Sequence, residues 1–172
     1  MPQTLTGYRE RGILRRMATT PVRPSALLSA QMLVYGGAAL ASALLSLLVG
    51  RLAFDVPLPK QPLGYVLALL LAVLAALALG SVVSALSRTT KIAGAIGSAF
   101  FFPSMFCAGV WLPTQAMPHL MARIVGYTPF GAAAEALNRA AAGHWPGWEH
   151  LGVLVMWVLL LTGAASRWFR WE

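Results

Sequence analysis

LGYVLALLLAVLAALALGSVVSAL, residues 63–86, runs for 24 residues without a charge. The hydrocarbon core of a bilayer is about 30 Å thick and needs about 20 apolar residues in a helix, so this stretch predicts a spanning helix. The rest of the chain has the same character. Of 172 residues, 58% are apolar and 10% charged, and the mean hydropathy is +0.70. A water-soluble domain carries about a quarter charged residues. The balance fits lipid, and the chain reads as an all-α, polytopic integral membrane protein with one membrane domain, 1–172.

Three further spans are expected on either side. They are ALLSAQMLVYGGAALASALLSLLVG (26–50), IAGAIGSAFFFPSMFCAGVWL (92–112, interrupted by Pro103) and WEHLGVLVMWVLLLTGAASRW (148–168). The uncharged core of the last runs only from Leu151 to Ser166, but Trp148 and Trp168 flank it as interfacial anchors. Gln31 and Tyr35 are the strongest polar features of the first. Small residues recur at spacing four, as Ala76, Gly80 and Ser84 and as Ala93 and Gly97. Such stripes let helix backbones approach closely, within the chain or between two copies.

Residues 113–145, PTQAMPHLMARIVGYTPFGAAAEALNRAAAGHW, are neither a span nor a polar loop. Pro118 opens a short helix that GYTP closes. Thr128 then suits an N-cap with Pro129 in the first helical position, and Gly143 a C-cap. Glu135 and Arg139 stand four apart in the order that favours pairing across a turn. Phe130, Ala133, Leu137 and Ala141 form the expected apolar side. Neither helix is long enough to cross, so a re-entrant hairpin within one leaflet is expected.

Nine of the 13 Lys and Arg residues lie on the side of the N-terminus, leaving Arg51, Lys60, Arg123 and Arg139 opposite. The positive-inside rule then puts both termini in the cytoplasm and the hairpin in the outer leaflet. The abundance of Ala, Leu, Gly and Arg suggests a GC-rich bacterial genome, so the expected location is a bacterial cytoplasmic membrane.

Several function classes recede. The net charge of +8 is dispersed at the ends of apolar runs, which does not suit a nucleic-acid backbone. The lone Cys107 offers neither a disulfide nor a metal cluster. The long basic N-terminus is not a signal peptide. No G-x-x-x-x-G-K-[ST] occurs, so the chain supplies no phosphate-binding loop of that kind. A proton-coupled carrier needs an ionisable group inside the membrane, and the interiors of the expected spans contain no Asp, Glu, Lys, Arg or His. An interfacial enzyme could draw on His119, His144, His150, Glu135 and Glu149, but their spacing is not that of a zinc site. No catalytic, cofactor-binding or metal-binding residue is expected.

Residues 9–17, RERGILRRM, are expected to wind into an amphipathic helix. Ile13, Leu14 and Met17 share one arc; Arg9, Arg11, Arg15 and Arg16 share the other. TTPVRP ends it before the first span. Glu10 projects from the middle of the apolar arc. Anionic headgroups would account for the arginines, and a protein partner docking on the apolar arc would account for Glu10 as well. Both readings stand on pattern alone.

YRERGILRRMATTPVRPSALLSAQ resembles the cytoplasmic coupling segment of type-2 ATP-binding-cassette permeases, through Glu10, Gly12, Leu14, Arg15, Met17, Thr20 and Pro21. FFPSMFCAGVWLPTQAMPHLMARIVGYTPFGAAAEALNRA is similar to that family's late span and outer hairpin, through Pro103, Phe106, Gly109, Pro113, Met117, Pro118, Pro129 and Arg139. The resemblance implies that the helix at 8–20 docks on a separate ATPase subunit through Glu10, Arg11, Gly12, Leu14, Arg15 and Met17. It also implies that Pro113, Pro118, Pro129, Glu135 and Arg139 shape an outer-leaflet hairpin, and that two permease copies, identical or different, enclose a path for a hydrophobic or amphipathic substrate. Family members usually have about six spans, two of them before the coupling segment, so this chain resembles the C-terminal two-thirds of a permease. A misassigned start, a truncated gene or a second polypeptide would each explain that. A non-transporting remnant or regulatory fragment is the alternative function.

Overall fold

The computed structural model describes residues 6–7, 24–87, 89–112 and 116–168. Six helices are named there, and no strand occurs among the described residues: α1 (Pro24–Phe54), α2 (Pro62–Leu86), α3 (Thr90–Cys107), α4 (His119–Gly126), α5 (Pro129–Ala142) and α6 (Trp148–Trp168). The expected coupling helix at 8–20 and Pro113 lie outside the described residues.

Three of these helices, α1, α2 and α6, are long and apolar enough to cross a membrane. At 1.5 Å per residue, the 25 residues of α2 reach about 37 Å. The expected limits 63–86 and 148–168 agree with α2 and α6 to within a residue. α1 extends further than expected, to Phe54. α3, expected to run to Leu112, has 18 residues and stops at Cys107. Gly109 explains the difference. It takes φ 76°, the left-handed conformation that ends helices and favours glycine, although the residues after it remain apolar.

Pro103 sits inside α3 without breaking it. A proline there removes the N–H that would meet the carbonyl four residues back. One residue on, the Ser104 hydroxyl donates to the Phe100 carbonyl at 2.6 Å, an added local bond of the kind that helps prolines persist in membrane helices. Thr89 caps the start, its side chain accepting from the Ile92 N–H at 3.3 Å.

The core lies where α2, α5 and α6 meet. Ala75, Ala132, Ala133 and Leu154 form one buried cluster and Ala68, Ala136 and Leu151 a second. Alanines on two of the three helices bring their backbones close, the usual device where lipid removes the hydrophobic drive between helices. Gly64 serves the same end: a β-carbon there would lie 2.6 Å from Pro146 Cδ. α1 rests on α2 at points such as Gly36 beside Leu77. Large apolar side chains such as Leu33 and Leu52 stand exposed along it, as a lipid-facing helix requires.

Local bonds sort the elements to two ends. The Lys60 and Gln61 N–H groups donate to the Ala141 and Ala140 carbonyls at 3.4 and 3.2 Å. This joins the α1–α2 loop to the end of α5, and Pro146 brings the start of α6 to the same end. The α2–α3 corner lies at the opposite end, where Gly7 packs against Thr90; a β-carbon on Gly7 would be 3.6 Å from Thr90 Cγ2.

Candidate functional site

The hairpin α4–α5 follows from a few local signals. Pro118 precedes the first turn of α4. Thr128 Oγ1 accepts from the Gly131 N–H at 3.1 Å and donates to the Val125 carbonyl at 2.6 Å. One side chain thus closes α4 and opens α5, with Pro129 in the first turn. Gly131 is required sterically, since a β-carbon there would overlap the Val125 carbonyl. Gly143, at φ 100°, ends α5, and the His144 N–H donates to the Arg139 carbonyl at 2.9 Å.

The buried face of α5 is Ala132, Ala133, Ala136 and Ala140. This corrects the expected apolar side in part: Ala133 belongs to it, Phe130 and Leu137 are only half-buried, and Ala141 is exposed. Close approach to α2 selected the smallest side chains over the largest.

Arg139 turns away from its own helix. Its Nη1 lies 3.4 Å from Glu149 Oε1 on α6, passing over Gly147, whose φ of 84° and lack of a side chain leave room for the guanidinium. Glu149 Oε1 is also 3.6 Å from His150 Nε2. Exposed pairs of this kind contribute only about 0–1 kcal/mol, so this link serves mainly to set position. Glu135, half-buried on α5, has an interaction of its own. A longer-range tie is the Trp157 Nε1–H, which donates to the Tyr127 carbonyl at 2.8 Å and links α6 to the α4–α5 corner. At the start of α6, Trp145 and Trp148 pack together with ring centroids 5.4 Å apart.

Two hollows flank the hairpin. An apolar groove of about 320 Å³ lies between α2, α3 and the start of α5, with Gly80, Gly97, Phe100, Met105 and Phe130 on its walls. Ala76, Gly80 and Gly97 of the small-residue stripes line this groove, whereas Ser84 and Ala93 are buried. A second, polar cleft of about 460 Å³ lies between α4 and the start of α6. Among the described residues, no group of three His, Cys, Asp or Glu side chains is arranged to hold a metal ion.

Of the expected site residues, Pro118, Pro129, Glu135 and Arg139 fall on the hairpin as described, while Pro113, Glu10, Arg11, Gly12, Leu14, Arg15 and Met17 lie outside the described residues. Sequence reasoning missed Glu149 as the partner of Arg139, Gly131 and Gly147 as clearance points, and Trp157 as a tie. Only Gly131, placed just after Thr128-Pro129, carried a local signal.

The family model described as ABC-2 family transporter protein matches residues 2–167. YvfS of Bacillus subtilis (strain 168), which bears the name of a transport permease, is 28% identical over 156 residues. That alignment covers 88% of this chain and 62% of YvfS, so the chain spans less than two thirds of its relative. No solved structure matches. With the match covering nearly the whole sequence, the chain belongs to the ABC-2 family of transporter proteins.

Proposed function

We propose that the chain is the membrane-spanning permease subunit of an ATP-binding-cassette exporter, moving a hydrophobic or amphipathic substrate outward with ATP hydrolysed by a separate subunit. The observation that carries this reading is the separation of ends. The α4–α5 hairpin gathers at one end with the α1–α2 loop. Gly7, which leads into the amphipathic stretch 8–20, packs at the other, beside Thr90. A drive delivered at one face and an exit shaped at the opposite face are what coupled export demands.

In this reading α3 is the fourth span, thinned by its early stop at Cys107, and both termini face the cytoplasm of a bacterial cell. The helix at 8–20 docks on the ATPase through Glu10, Arg11, Gly12, Leu14, Arg15 and Met17. Two permease copies line the substrate path, and the hairpin with Pro113, Pro118, Pro129, Glu135 and Arg139 stands at the outer exit. The chain hydrolyses nothing itself. The test uses inverted membrane vesicles carrying this chain with its ATPase and a panel of fluorescent amphiphiles. ATP-dependent accumulation of at least one probe, lost without this chain, supports export; equal accumulation with and without the chain contradicts it.

A further inference from the structure

The polar cleft between α4 and α6 carries both signs of charge at one level of the molecule. Its walls include Arg123 and Tyr127 from the α4 side and Glu149 and His150 from α6, with Ala122 and Val153 as apolar floor. Among the described residues Arg123 makes no ion pair, whereas Glu149 is held by Arg139 and is still 73% exposed. At about 460 Å³ the cleft falls within the range of small-molecule sites, roughly 300–1,000 Å³. Its surroundings are apolar rather than watery: Leu120, Ile124 and Trp148 are exposed on the same two elements. The pair Trp145 and Trp148 marks the depth at which tryptophans sit in a bilayer, at the headgroup level.

From this arrangement we propose that the cleft binds the headgroup of a phospholipid carrying a phosphate and a primary ammonium group, of the phosphoethanolamine type. The Arg123 guanidinium takes the phosphate, since its planar fork of donors matches phosphate oxygens, and the Tyr127 hydroxyl donates beside it. Glu149 accepts from the ammonium, and His150 backs the carboxylate from the other side. The acyl chains run over the exposed apolar surface at Leu120 and Ile124. The arrangement of donors and acceptors decides the ligand class. Arg139 and His150 both meet Glu149 at Oε1, which leaves Oε2 to accept from an ammonium N–H while Arg123 takes the phosphate, and a headgroup without an ammonium leaves that acceptor unused.

Binding is read without nucleotide or ATPase, so the outcome does not depend on the transport reading. The full chain, purified in detergent, is mixed with phosphatidylethanolamine, with phosphatidylglycerol of the same acyl composition, or with glycerophosphoethanolamine, and bound molecules are counted by native mass spectrometry. The site predicts at least a tenfold preference for phosphatidylethanolamine over phosphatidylglycerol. Arg123→Gln, at an exposed position, lowers retention of phosphatidylethanolamine about tenfold, while Arg51→Gln at the end of α1 leaves it unchanged. Glu149→Gln abolishes the preference between the two lipids. Equal retention of both lipids by the unaltered chain, or unchanged retention by Arg123→Gln, overturns the proposal. So does glycerophosphoethanolamine binding as well as the intact lipid, since the cleft would then serve a soluble phosphate compound.

Discussion

Thr128 does two jobs with one hydroxyl, accepting from Gly131 and donating to Val125. Losing a cap of this kind costs about 1 kcal/mol. Thr128→Ala should therefore lower the unfolding midpoint of the detergent-purified protein measurably, and Thr128→Ser should restore most of it. Gly131→Ala should cost more, about 1–3 kcal/mol as in overpacked cores, because its β-carbon would meet a backbone carbonyl. A Gly131→Ala variant with an unaltered midpoint would show that the turn can shift freely. Thr128 and the other caps of the hairpin, though not the clearance point Gly131, were legible in the sequence because their signals are local. Thr-Pro, a glycine after the last apolar turn, and a proline before the first each act on the adjacent backbone. Arg139 was not legible in the same way. Its partner Glu149 lies ten positions on and meets it only because Gly143 and Gly147 turn the chain through left-handed conformations.

At the scale of the element, α2 and α6 were readable to within a residue, α2 from length and absence of charge and α6 from an apolar core flanked by tryptophans. α3 and the face of α5 were not. The apolar residues after Cys107 continue the pattern of α3, and only the backbone of Gly109 ends the helix. The buried face of α5 follows side-chain size, which a hydrophobicity pattern does not rank. That face yields a prediction. Ala136 is wholly buried against α2 and α6, so Ala136→Leu should destabilise by about 1–3 kcal/mol, whereas Ala141→Leu, on the exposed side, should be near neutral. Thermal unfolding of the two variants side by side distinguishes them; equal effects would mean that α5 packs through a different face. Trp157→Phe should loosen α6 from the hairpin by about 0.5–1.5 kcal/mol, the net worth of one hydrogen bond. Faster amide exchange at Tyr127 and its neighbours is the expected signature.

At the scale of the molecule, the connections set Lys60 and Lys91 at opposite ends. Lys60 lies at the hairpin end through its backbone bond to Ala141, and Lys91 lies at the α2–α3 corner. Single cysteines at these two positions, in a Cys107→Ala background, should therefore react oppositely with a membrane-impermeant reagent added to intact cells. Lys60→Cys should be labelled from outside and Lys91→Cys only after lysis; the reverse pattern would invert the proposed topology. The stretch 8–20, which we propose carries the coupling, was conspicuous in the sequence for Glu10 falling among apolar positions and arginines. Its role rests on whether an ATPase recognises it. The direct test is affinity purification of the tagged chain from its own membranes, assaying the eluate for ATP hydrolysis beside a Glu10→Lys variant. The account predicts that hydrolysis co-elutes with the unaltered chain and is lost at least tenfold in Glu10→Lys, with membrane insertion equal in both. Hydrolysis absent from the first eluate, or undiminished in the second, would contradict a permease driven through this helix.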